Sequence, residues 1–272
     1  MKILTTIEEL QEVRKEISSS VGFIPTMGAL HDGHISLIKK ARAENDIVIV
    51  SIFVNPTQFL PGEDLDKYPR RDEADKKICQ MCKVDYLFMP KITTMYEKEE
   101  VLIKAPNRSY VLEGETRPGH FDGVLQVVLK LFNLVKPTNA YFGKKDAQQL
   151  SLIIQMVKNL FLDINIIACD IVRESDGLAM SSRNVYLTPE QRSEALKISK
   201  SLRKAGELVG KKQLNVETIK ATMKEVMSGL DIEYIAVVNR NFEELTQVEL
   251  SNTIILVVAR FGNTRLLDNL WL

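Results

Sequence analysis

Apolar and polar positions along the first half of the chain alternate between two rhythms. Residues 21–24 form a short apolar run of strand length, and residues 46–54 enclose the run IVIVSIFV, as a strand buried on both faces requires. Between them, residues 35–43 put Leu37, Ile38 and Ala41 on one helical face. Strand, helix and strand make a βαβ unit, which implies a parallel sheet with a right-handed crossover. The series continues with a helix over 72–82, a strand over 86–89 and a strongly apolar helix over 121–135, whose Val124, Val128, Leu131 and Val135 share a face. A brief strand at 140–142, a helix at 147–159 and a strand at 164–168 complete it. The predicted fold class is α/β, a doubly wound, Rossmann-like parallel sheet.

The pattern changes after Val172. Residues 173–184 are polar and read as a loop. Thr188, Pro189 and Gln191 supply an N-cap, a proline at the first helical position and a third-position partner for the cap. The helix they open carries Ala195, Ile198, Leu202, Ala205 and Val209 on one stripe. A second helix over 216–227 and strands over 232–238 and 253–258 follow, with a further strand near the C-terminus. The expected organisation is a Rossmann-like domain over 1–173 and a smaller α+β domain over 174–272, with no internal repeat.

Composition narrows the function. Apolar residues are 45% and charged residues 26% of 272, the ordinary globular range with ample material for a core. Lys plus Arg equals Asp plus Glu at 36 each, so no general field draws in nucleic acid or an anionic membrane. An anionic ligand must be held by local groups. No run approaches the ~18 apolar residues of a membrane span. The start, MKILTTIEEL, has acids where a signal peptide needs an apolar stretch. Three cysteines cannot all pair with one another, which points with the missing signal to a reducing, cytoplasmic setting. Cys79 and Cys82 form a lone C-x-x-C without a second pair or a nearby His, so ordinary thiols are expected there.

The chemistry concentrates in PTMGALHDGH, residues 25–34, between the first strand and the first crossover helix. That is the end of a parallel sheet where ligands bind, ahead of a helix N-terminus that favours phosphate. Gly28 and Gly33 let a backbone approach a ligand closely. His31 and His34, two of the three histidines, can both donate toward phosphate oxygens. IFVNPTQF, residues 52–59, follows the second strand at the same sheet edge. RPGHFDG, residues 117–123, precedes the apolar helix, so His120 suits either a helix start or an active-site wall. GKKDAQQ, residues 143–149, follows a strand and opens a helix without P-loop spacing. Asp146 and Gln149 there fit a helix cap and its partner as well as a ligand site. Met180, Ser181, Ser182 and Arg183 lie in the polar loop, and two hydroxyls with a guanidinium suit phosphate.

These segments, in this order, resemble the HxGH superfamily of nucleotidyl transferases, which includes the class I aminoacyl-tRNA synthetases, and within it the pantoate–β-alanine ligase family. The resemblance runs from about residue 21 to about residue 187, and the C-terminal part carries little signature. It implies ATP attacked at the α-phosphate with release of pyrophosphate, Mg²⁺ as cofactor, pantoate and β-alanine as the other substrates, and a homodimer. Carried over by position, it implies catalytic roles for His34, His31 and Lys145. Nucleotide contacts fall on Met27, Gly28, Ala29, Leu30, His31, Asp32, Gly33, His34, Gly143, Lys144, Lys145, Asp146, Val172, Met180, Ser181, Ser182 and Arg183. Pantoate falls to Gln58 and Gln149, and β-alanine to Gln58, whose amide otherwise suits a loop cap. Arg117 and His120 would line the site, and the residues 180–183 look like a mobile KMSKS-type lid. The acidic stretch 72–75 has Ala74 where some family members carry an acid. Asp75 is the candidate for the metal neighbourhood, although an acid in a helix's first turn needs no metal. Two other functions fit the phosphate-handling residues: a cofactor adenylyltransferase of the same superfamily, and a non-catalytic nucleotide-binding module. The NPTQF string and the C-terminal domain weigh against the first; both histidines and Lys145 weigh against the second.

Overall fold

The computed structural model describes residues 1–272, which divide into two compact units. The first comprises Met1–Lys144 and Gln148–Asp170; the second comprises Lys145–Ala147 and Ile171–Leu272.

The first unit is a six-stranded parallel sheet flanked by helices. Its strands are β1 (Lys2–Leu4), β2 (Val21–Thr26), β3 (Ile47–Ile52), β4 (Tyr86–Phe88), β5 (Asn139–Gly143) and β6 (Asn165–Cys169). They lie in the order β1-β4-β3-β2-β5-β6. Its helices are α1 (Ile7–Glu16), α2 (Asp32–Glu44), α3 (Asp72–Met81), the short α4 (Ile92–Met95) and α5 (Glu113–Thr116), α6 (His120–Val135) and α7 (Ala147–Asn159). The apolar run of β3 is buried from Val48 to Ile52, as a central strand covered on both faces demands. Ile24, Val48, Val50, Leu87 and Tyr141 form its core with Leu37, Ile38 and Ala41 of α2. From β2 the chain steps to β3 on one side, while β5 lies on the other. The strand order therefore reverses beside β2, and the carboxyl ends of β2 and β5 flank the crevice where such sheets take ligands.

Two details differ from the sequence pattern. β1 and α1 are additional: β1 is a three-residue edge strand parallel to β4, and α1 opens with a Thr6–Glu9 capping box. The first crossover helix also begins earlier than residue 35. Asp32, Gly33 and His34 form its first turn, with His31 as N-cap.

The second unit is α+β. It contains α8 (Pro189–Gly210), α9 (Val216–Val226) and an antiparallel sheet β7 (Asp231–Asn239), β8 (Thr253–Phe261) and β9 (Thr264–Trp271), in that order. Thr188 and Gln191 make the expected reciprocal cap of α8. Ala195, Ile198, Leu202, Ala205 and Val209 pack with Ile219 and Met223 of α9 and Ile255, Val257 and Ala259 of β8.

Candidate active site

The residues after β2 make a turn held from three sides. Thr26 Oγ1 donates to the Ser51 carbonyl at 2.8 Å and accepts the Gly28 amide at 3.2 Å. Gly28 and Ala29 both have positive φ, 84° and 51°. A side chain at Gly28 would meet Asp75 Oδ2 and Ile52 at 3.0 Å, so glycine is required there by conformation and by space. Ala29 bears the cost of the left-handed region, about 1 kcal/mol, and Asp75 offsets it. The two carboxylate oxygens of Asp75 accept the Ala29 and Leu30 amides, each at 2.8 Å.

Asp75, the residue expected in the metal neighbourhood, has this structural role in the turn. Its side chain is buried at 1% exposure and strapped to the turn through both oxygens. Burial raises its pKa above the ordinary aspartate value, against the lowering effect of the Leu30 and Ala29 hydrogen bonds. No group of three or more His, Cys, Asp or Glu side chains gathers as a metal cage. A Mg²⁺ ion needs none, because it binds through substrate phosphates with one or two protein ligands and water.

The turn delivers two histidines to the N-terminus of α2. His31 Nδ1 accepts the Gly33 amide at 3.1 Å, and His34 Nδ1 accepts the His31 amide at 3.3 Å. Each histidine thus does the work that Ser and Glu do in an ordinary capping box. A ring nitrogen that accepts a backbone N–H carries no proton, so each neutral imidazole has its hydrogen on Nε2. The two rings lie 4.2 Å apart, tilted by 45°. The cap leaves both rings with a single donor type, Nε2–H, beside the positive end of a helix dipole.

The loop after β3 is organised by Asn55, which is 1% exposed. Its Nδ2 donates to Gln58 Oε1 and to the Gly123 carbonyl, both at 3.0 Å. Its Oδ1 accepts Tyr96 Oη at 2.8 Å and Thr57 Oγ1 at 3.0 Å. Gln58 is thereby oriented with Nε2 toward Met27 Sδ at 3.2 Å, a weak acceptor. The amide hydrogens of Gln58 and the thioether of Met27, expected at different substrates, meet in one place. Gly123 permits this packing, since a Cβ there would lie 2.3 Å from the Thr57 carbonyl oxygen.

His120 and Arg117 grip the same loop from the start of α6. His120 Nδ1–H donates to the Gln58 carbonyl at 2.7 Å, and its Nε2 accepts from Arg117 Nη1 at 3.1 Å. Arg117 pairs bidentately with Glu63 at 2.6 and 2.7 Å. Burial, then the Arg117 charge, pushes the His120 pKa down to about 4. Burial works against ionisation of Glu63 as well, but the Arg117 and Leu60 hydrogen bonds and the Arg117 charge together outweigh it, and its pKa lies below the usual value. His120 is thus a buried neutral link that holds Gln58 in place.

Of the adjacent amides on α7, Gln148 is structural. It is 3% exposed, accepts the Glu113 amide at 3.2 Å and donates to the Val111 carbonyl at 2.9 Å. Gln149 is half-buried in the same turn. Gly143 ends β5, and Lys144 next to it pairs through its ammonium with Asp170 at 2.6 Å. Cys79 is a buried thiol whose pKa burial pushes up to about 12, the inert form expected.

The second unit holds Lys145, Asp146, Val172 and residues 180–183. Lys145 Nζ stands 3.6 Å from Asp146 Oδ1. Residues 172–184 are braced, not loose. Arg173 and Ala179 form an antiparallel bridge, and the Met180 amide bonds the Val172 carbonyl at 3.0 Å. Ser181 Oγ caps a short turn at Arg183 N, and Arg192 of α8 pairs with Glu174 and Asp176 at 2.6 Å. This bracing makes the segment a built-in part of its unit. Asn55, Glu63 and Tyr96 carry no sequence signal beyond an Asn-Pro turn and scattered polar positions.

The chain is similar over its whole length to proteins of one family. The family model described as pantoate-beta-alanine ligase matches residues 2–271. A pantothenate synthetase of Aliarcobacter butzleri is 74% identical over 272 residues, covering all of both chains. The crystal structure of pantothenate synthetase from Thermus thermophilus is 39% identical with a TM-score of 0.94, covering 100% of this chain and 99% of that one. A pantoate-beta-alanine ligase from Francisella tularensis, complexed with beta-gamma ATP and beta-alanine, is 40% identical with a TM-score of 0.84 over 100% of this chain and 97% of that one.

Proposed function

The chain belongs to the pantoate–β-alanine ligase family, and from that membership we propose a two-step reaction through a pantoyl adenylate for it. It is an ATP-dependent ligase that condenses pantoate with β-alanine to pantothenate, releasing AMP and pyrophosphate. The adenylyltransferase and the non-catalytic module give way to this activity.

In the first step the pantoate carboxylate attacks the α-phosphate of ATP and pyrophosphate departs. In the second the β-alanine amine attacks the acyl carbon and AMP departs. Activation is needed because a free carboxylate is a poor acyl donor, while AMP is a good leaving group. The observation that carries this reading is the reciprocal histidine cap, which supports a pair of Nε2–H donors at the first turn of α2. Such donors stabilise charge where it develops at a transferring phosphoryl group and need no reorganisation to do so. Lys145 adds a point charge. Mg²⁺ bound to the triphosphate would neutralise oxygens there. Gln58, oriented by Asn55 and rooted by His120, offers amide hydrogens to pantoate and β-alanine, with Gln149 as the second pantoate residue. Gly28 to Gly33 and the amides of α2, with Gly143 to Asp146, Val172 and residues 180–183, take the nucleotide.

The three unpaired cysteines support a reducing, cytoplasmic location. A homodimer fits the same reading, since Val101 and Leu102 are 85% and 81% exposed and a second copy would cover them. Product analysis with ATP, Mg²⁺, pantoate and β-alanine tests the reading. Pantothenate and AMP in equal amounts are expected, and AMP formation that ignores pantoate would refute it.

A further inference from the structure

Asp268 and Asn269 are consecutive residues of β9, and both are buried, at 3% and 1% exposure. Neighbours on a strand point to opposite faces, so a half-buried strand hides every second side chain. Two adjacent buried polar side chains need partners on both sides. Asp268 accepts Arg173 bidentately at 2.6 and 3.0 Å, and also the Asn269 amide at 2.8 Å. Asn269 Nδ2 donates to the main-chain carbonyl of Lys145 at 2.6 Å. Lys145 lies 124 residues earlier, yet Lys145–Ala147 pack as part of the same unit as β9.

We propose that Asn269 is a positioning residue for Lys145. This rests on the reading above, in which Lys145 acts on the phosphates of ATP. The lysine ammonium sits on a flexible four-carbon stem. Its one ion-pair partner, Asp146, is 3.6 Å away, too far for a tight charged hydrogen bond to fix the head group. The place where the charge arrives is therefore set by the root of the stem, and Asn269 holds that root. Asp268 holds Arg173, which bridges to Ala179, so the neighbouring position of β9 roots the segment that leads into residues 180–183. One dipeptide of the last strand anchors both segments of this unit that are proposed to meet the nucleotide. β9 thus has a role in the reaction that its distance along the chain from every motif conceals.

The test compares wild-type enzyme, Lys145→Ala, Asn269→Ala, Asn269→Asp and the double variant Lys145→Ala/Asn269→Ala. AMP formation is measured with saturating β-alanine, and a thermal melt is recorded for each. Asn269→Ala should lower kcat by about 10- to 100-fold, the effect of misplacing a charged group by about 1 Å. KM for pantoate should stay within about twofold, and the added loss in the Lys145→Ala background should vanish, because the residue acts only through that lysine. Asn269→Asp keeps the shape but puts an acceptor where the donor stood, and should lose at least as much. A wild-type enzyme that makes no AMP from these substrates would remove the functional reading itself. An active wild type would overturn the positioning role if Asn269→Ala kept its kcat, if its loss multiplied with that of Lys145→Ala, or if neither Asn269 variant folded.

Discussion

Lowering the pH should loosen the Gln58 loop through one histidine. His120 is held neutral by burial and by Arg117, from which its Nε2 accepts at 3.1 Å, while its Nδ1–H donates to the Gln58 carbonyl at 2.7 Å. Its pKa is pushed from 6.5 to about 4, by burial first and the Arg117 charge second, against the weaker opposing pull of the Gln58 hydrogen bond, Glu63 and Glu113. The unfolded imidazole takes up its proton near pH 6.5, the folded one not until about pH 4. Between those values the unfolded state holds the extra proton, so stability rises with pH across the window. The contribution is complete above pH 6.5 and is lost as pH falls toward 4. With those two pKa values the loss is about 2 kcal/mol at pH 5 and about 3 kcal/mol at pH 4. Urea denaturation of the wild type and of His120→Asn between pH 4 and pH 8 measures it. Asn keeps a donor near the Nδ1 position but does not titrate, and all other titrating groups cancel in the comparison. Wild-type stability should fall by about 2 kcal/mol more than that of the variant between pH 7 and pH 5. Parallel curves would refute the assignment of a neutral, buried His120.

His34→Ala should cut turnover by about 10²–10³-fold, the usual loss of one transition-state donor; near wild-type turnover would remove the ring from the mechanism. Asp75→Ala leaves the Ala29 and Leu30 amides without their acceptor. It should cost about 2–4 kcal/mol in denaturation experiments and lower kcat by at least tenfold as the turn shifts, whereas an unchanged kcat would deny Asp75 its hold on the turn. Gln149→Ala should raise KM for pantoate more than for ATP with little change in Tm, while Gln148→Ala should lower Tm, because Gln148 ties residues 108–113 to α7. The opposite pattern in the two variants would reverse the assignment.

The parallel sheet is legible in the sequence because β3 is apolar on both faces and α2 and α6 carry their stripes at helical spacing. β1 is too short for periodicity, and α1 buries only Leu10 and Val13, although its Thr6–Glu9 cap is a readable signal. β9 shows only faintly near the C-terminus because Asp268 and Asn269 break the alternation of an ordinary strand. The turn proposed to handle phosphate is legible in residue types but not in mechanism. That two histidines cap their own helix, and so fix their tautomers, follows from distances rather than from spacing. The structural role of Asp75 is hidden because an acid in the first turn of α3 matches a helix dipole as well as it matches a cation. Its hydrogen-bond partners, Ala29 and Leu30, are more than forty residues away in the chain. Gln148 and Gln149 cannot be ranked by sequence, since only the direction of the α7 face separates the structural amide from the one proposed for substrate.

In the proposed reaction, pantoate is joined to AMP before β-alanine takes part. Exchange of labelled pyrophosphate into ATP tests this order most directly, with pantoate and Mg²⁺ present and β-alanine absent. Exchange should stop when pantoate is omitted and should slow in His34→Ala in proportion to overall synthesis. Exchange that requires β-alanine, or proceeds with a phosphorylated acceptor and never with pantoate, would contradict it.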